Sequence, residues 1–108
     1  MQRHFHSELK DLKDKVLEMG GFVEKALEEA VIGLLNREPE RFKAVHEWEK
    51  KINYAHIAMD ELCLQLLARQ SPLARDLRLI LAIIKINTDL ERMGDQAVNI
   101  AHSGLHYL

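Results

Sequence analysis

This sequence predicts an all-α chain folded as an antiparallel up-down-up three-helix bundle with long helices, and three observations predict it. Its two prolines, Pro39 and Pro72, cut 108 residues into nearly equal thirds. Each third carries apolar residues in alternating steps of three and four, the pattern of a helix packed along a seam. Five glycines and two prolines are too little turn punctuation for an all-β or collagen-like chain.

The first helix is predicted over residues 4–36, on the run Phe5, Leu9, Leu12, Val16, Met19, Val23, Ala26 and Ala30. Gly20-Gly21 interrupts it at a cost of roughly 1 kcal/mol per glycine against alanine, which a bend or a close helix approach would explain. The second spans 39–70, with Phe42, Val45, Glu49, Ile52, His56, Met59, Cys63 and Leu66 on the seam. The third spans 72–104, opened by Ser71 as a hydroxyl cap before Pro72 and stopped at Gly104. Its seam runs through Leu73, Leu77, Ile80, Ile84, Asn87, Glu91, Gly94, Val98, Ala101 and Leu105. At 1.5 Å per residue each helix is about 45 Å long, so the expected bundle is a rod.

Size and composition bound the function. A chain that is 47% hydrophobic and 30% charged buries one core, so residues 1–108 form a single domain. A net charge of -2 gives no basis for nucleic-acid binding. The apolar run Leu79–Ile84 is far too short to span a bilayer, and the amino-terminal residues do not read as a signal peptide. A cytoplasmic location follows as an expectation. Cys63 is the single cysteine and has no partner for an internal disulfide.

The polar breaks in the seam carry the functional information. The second helix places Glu49 and His56 there, the third Asn87 and Glu91, and the first none. Counting outward from the turn at Ser71 sets Glu91 level with Ile52, and Asp95 level with Trp48 and Glu49. Asn53 follows Glu49 by four residues and Asp95 follows Glu91 by four, so each pair shares a helix face. Three carboxylates and an amide then gather, with His46 and His56 on either side. Such crowding calls for a proton or a cation. The oxygen-rich set suits magnesium, manganese, calcium or ferric iron, and a nearby imidazole admits zinc. Acids at a seam edge also set register, pair with Arg92 or Lys50, or face water.

The stretch Leu66–Arg78, LLARQSPLARDLR, followed by Thr88–Ala101, TDLERMGDQAVNIA, closely resembles the PhoU family. The resemblance reaches back through Asn36–Glu40 and Met19–Gly21 and so covers essentially the whole chain. It implies bundles whose E(D)xxxD motifs bind iron or zinc. By resemblance Glu91 and Asp95 form the motif of the third helix, and Glu49 and Asn53 that of the second, where the amide departs from the acidic pattern. It also implies a non-enzymatic negative regulator of the phosphate response, standing between the phosphate transporter ATPase and a sensor histidine kinase. Membrane association is then at most peripheral, through those partners. Family members carry two tandem bundles and this chain resembles the first, so a homodimer or higher oligomer is expected.

Other constellations have competing readings. Arg69, Arg75 and Arg78 gather near the second turn, where an anion could bind or Asp76 could pair with them. His102 and His106 stand four apart in chelating geometry, and are also ordinary partners for a helix carboxyl end. A di-iron carboxylate enzyme needs Glu-x-x-His motifs, and Lys43, Asn53, Asn99 and Ser103 occupy the positions three before the histidines. A histidine phosphotransfer bundle, with His46 or His56 as acceptor, is the alternative function.

Overall fold

In the computed structural model, which describes residues 2–69 and 74–107, three helices form an elongated bundle of 55 × 17 × 16 Å. They are α1, Gln2–Leu35, α2, Pro39–Arg69, and α3, Ala74–Tyr107, and each packs against both others. Among the described residues there is no strand, and no helix is long and apolar enough to cross a membrane. Ser71 and Pro72, the expected cap and start of the third helix, lie outside the described residues.

Alternating steps of three and four bury one line of each helix. Leu12, Met19, Phe42, Met59, Leu66 and Ile80 are all at 0% exposure. On α1 and α2 the buried positions follow the expected seam. On α3 they keep Ile80, Asn87, Gly94 and Ala101, but the second column is Ile83, Ala97 and Gly104. Leu77 and Leu105, expected in the seam, are exposed, and Ile84, Glu91 and Val98 are half-buried. Both columns read apolar, and a helix wedged between two neighbours buries the side that faces both.

The turn between α1 and α2 closes by a Schellman arrangement. The Glu38 amide donates to the Gly33 carbonyl at 2.9 Å, and Arg37 takes a positive φ of 54°, the left-handed position that glycine occupies at lowest cost. Arg41 secures the joint by donating to Glu38 and reaching Glu29 on α1 at 3.5 Å. The Glu38 carboxylate raises the Arg41 pKa above its ordinary value.

The glycines correct two expectations. Gly104 does not stop α3, which continues to Tyr107. It is buried there because a Cβ would stand 2.9 Å from both Cε atoms of Phe42, while a Cβ on Gly33 of α1 would stand 3.0 Å from Phe42 Cε1. Phe42 is thus a wedge between two glycines. Gly20 and Gly21 mark no close approach, because a Cβ on either meets nothing within 4 Å and α1 runs on through them.

Candidate functional site

One flank of α2 is polar at the helical repeat. His46, Glu49, Asn53, His56 and Asp60 follow one another in steps of three and four, so they form one stripe beside the apolar one. On α3 the matching line is Thr88, Glu91, Asp95, Val98 and His102. Three contacts bring the stripes together. Asn87 Nδ2 donates to the His56 carbonyl and to Asp60 Oδ1, each at 3.0 Å. Gly94 sits on Ile52, whose Cδ1 would stand 3.1 Å from a Cβ there. The imidazoles of His46 and His102 meet edge to face with centres 5.6 Å apart.

These contacts stagger the helices relative to the count from the turn. Gly94, not Glu91, lies against Ile52, a displacement of nearly one helical turn. Glycine is the α3 residue that leaves room for the branched Ile52 side chain, so it takes that position. The same shift brings His102 to His46. The sequence sets His46 beside the acidic residues and His102 four residues from His106, and does not pair the two with each other.

Of the four expected ligands, Glu49 and Glu91 are half-buried, and Asn53 and Asp95 are exposed. As placed they do not form a closed cage: among the described residues no three His, Cys, Asp or Glu side chains gather so as to hold a metal ion. Nor are the α3 acids locked in ion pairs. Lys50 reaches Glu47 at 3.4 Å, and no ion pair joins Glu91, Asp95 or Arg92 among the described residues. Glu49 Oε1 stands 3.9 Å from His46 Nδ1.

The inner end of the seam is structural. Asn87 is at 0% exposure, and its Oδ1, like the half-buried His56 Nδ1, has no hydrogen-bond partner. His56 Nε2 lies 3.8 Å from Asp60 Oδ2. A carboxylate beside the imidazole repels an incoming phosphoryl group, which counts against His56 as a phosphoacceptor. Burial, reinforced by the Asp60 charge, pushes the Cys63 thiol up to about 11, so it stays protonated and a poor nucleophile at neutral pH. Nucleophile, base and orienting group do not converge here.

The opposite face, between α1 and α3, carries a run of apolar side chains. Leu79, Ile86, Met93, Ile100 and Tyr107 recur every seven residues on α3, and Leu34 of α1 lines a groove with Ile100 and Tyr107. Ile86, Met93 and Leu34 are each more than 40% exposed. At the start of this face His6, Lys10, Lys13 and Arg75 line a second groove with Asp76; of the expected cluster Arg69, Arg75 and Arg78, only Arg75 lines it, and the Arg69 side chain lies outside the described residues.

Comparison with known proteins accords with this architecture. The PhoU domain matches residues 16–103. The phosphate-specific transport system accessory protein PhoU of Serratia marcescens is 40% identical over 101 residues, covering 94% of this chain and 42% of that protein. The homologue from Pseudomonas putida is 39% identical over 105 residues, covering 97% and 41% respectively. A crystal structure of PhoU from Pseudomonas aeruginosa superposes with a TM-score of 0.92 at 40% identity, over 94% of this chain and 49% of that one. The chain therefore spans under half the length of these relatives. With a shared fold, about 40% identity and a domain match over most of its length, the chain belongs to the PhoU family.

Proposed function

We propose that this protein regulates bacterial phosphate uptake and the phosphate response, as a cytoplasmic helical adaptor between the phosphate transporter ATPase and a sensor histidine kinase. The observation that carries the reading is the match along nearly the whole chain to proteins named as phosphate-transport accessory proteins. The test is complementation. In a bacterium lacking its own PhoU, expression of this chain restores repression of a phosphate-response reporter in high phosphate. An unchanged reporter, with the protein present and folded, overturns the regulatory role.

Self-association is part of the proposal. Leu34, Ile86 and Met93 stay exposed on the α1–α3 face, and exposed apolar patches mark interaction sites. A second copy is the occupant assigned to it. A monomer in light scattering at high micromolar concentration removes this element, and a dimer unaffected by Met93→Glu moves it to another face.

Iron or zinc at Glu49, Asn53, Glu91 and Asp95 rests on the motif spacing and the resemblance. If the acids hold a cation, added ferric iron, which oxygen ligands suit, raises the melting temperature by mass action. Glu91→Gln with Asp95→Asn then abolishes that response and leaves the apo protein at least as stable, because like-charge repulsion has gone. An apo protein weakened by the double substitution, with no metal response in the parent, overturns the assignment.

A further inference from the structure

We propose that His46 of α2 and His102 of α3 form a divalent transition-metal site of their own, a two-imidazole clip across the outer end of the polar seam. Neither residue belongs to the acidic motifs, and the inference is independent of the regulatory reading. Two imidazoles bound through nitrogen to one tetrahedral zinc, at about 2.0–2.1 Å each, hold their ring centres about 5 Å apart. The observed separation is 5.6 Å, close to that spacing. His46 is 41% exposed and His102 is exposed, leaving an approach path for the ion and room for water in the remaining coordination positions.

Glu49 supplies the second observation. Its carboxylate faces His46 Nδ1 at 3.9 Å. Metal-bound histidines commonly donate their other ring nitrogen to a carboxylate, which fixes the tautomer and raises the basicity of the ligating nitrogen. With Nδ1 toward Glu49, Nε2 is the His46 nitrogen left to bind the ion. Imidazole ligands favour zinc, copper and nickel over magnesium and calcium. The clip joins α2 to α3 at the outer edge of their shared apolar core, so a bound ion would fasten the two helices there.

Zinc chloride is the probe, read by calorimetric titration, thermal melting and the ring signals of isotopically labelled histidine in the parent protein. The expected result is saturable binding, a raised melting temperature and perturbed ring signals of His46 and His102. His46→Gln and His102→Gln each weaken binding at least about tenfold, whereas His106→Gln and the double amide Glu91→Gln with Asp95→Asn leave this binding in place. Glu49→Gln weakens it less than loss of either ligand. Binding that survives His46→Gln but not His106→Gln assigns the ion to the two histidines of α3 and overturns the clip. Loss only with the acid variants overturns it in favour of the acidic motif, and no perturbation of the parent's His46 ring overturns it without recourse to any variant.

Discussion

The two flanks of α2 do different work. Toward α1 it presents Trp48, Ala55 and Leu62, with Trp48 stacked on Phe22 at 5.9 Å and Lys51 Nζ 4.5 Å from the Trp48 ring centre. Phe42 closes that end between Gly33 and Gly104. Toward α3 the same helix presents His46, Glu49, Asn53, His56 and Asp60. Apolar contact is non-directional and tolerates small slips, whereas a hydrogen bond to a buried amide fixes one register. The chain therefore draws cohesion from the α1 side, and takes register and chemistry from the α3 side.

The largest break in that division is Asn87→Asp. It replaces a buried donor to Asp60 with a second carboxyl, and an uncompensated buried charge costs about 3–5 kcal/mol. Burial and the Asp60 charge raise the folded pKa of the new group above its unfolded value. Its neutral form is therefore tolerated below the unfolded pKa, and stability is lost as pH rises through the folded one. Denaturant melts at pH 7 and at mildly acidic pH check both parts. A variant as stable as the parent at pH 7 would show that the amide does not set the seam.

Where Phe42 of α2 wedges between α1 and α3, the corresponding test is Gly104→Ala. The added Cβ meets the Phe42 ring, which is hemmed in by Gly33 and cannot swing away, and overpacking of this kind costs about 1–3 kcal/mol. Gly94→Ala meets Ile52 Cδ1 at 3.1 Å and Cγ2 at 3.3 Å, contacts that a shift of a few tenths of an ångström relieves, and costs less. Equal losses from the two substitutions, measured by denaturant melts, would remove the distinction between a rigid and a yielding seam.

The same contrast explains what could be read from the residues alone. Three helices, the start of α2 at Pro39 and the seams of α1 and α2 follow from periodicity; in α1 the column beside the seam carries the charges Glu8, Lys15 and Glu29. In α3 both columns are apolar, Leu77, Ile84, Val98 and Leu105 on one side and Ile83, Leu90, Ala97 and Gly104 on the other. The choice belongs to packing against two partners, which no single helix encodes. The polar stripe on α2 was visible as a repeat. Its partner on α3 depended on a stagger of nearly one turn, set by Gly94 receiving Ile52. That is why the i, i+4 spacing of Glu91 and Asp95 is legible in the sequence while the meeting of His46 with His102 is not.

The smallest effects come where neither seam is involved, and they are expected to be stabilising. Gly21 is exposed within an unbroken helix, its φ is negative, and a Cβ there meets nothing within 4 Å. Gly21→Ala therefore adds no clash and removes backbone entropy from the unfolded chain, for a gain of about 0.5–1 kcal/mol. Arg37→Gly works from the other direction. Arg37 holds a φ of 54° at the end of α1, a conformation that costs a residue with a Cβ roughly 1–2 kcal/mol and glycine nothing. Glycine's larger unfolded-state entropy offsets part of that relief, so the net gain is about 0.5–1 kcal/mol, read as a higher denaturation midpoint. The two sites share no contacts, and distant substitutions add within about 0.3–0.5 kcal/mol. The double variant is therefore expected to show the sum. A sum well short of additive would mean that the joint between α1 and α2 responds to the middle of α1, and that the cohesive half of the molecule moves as one unit.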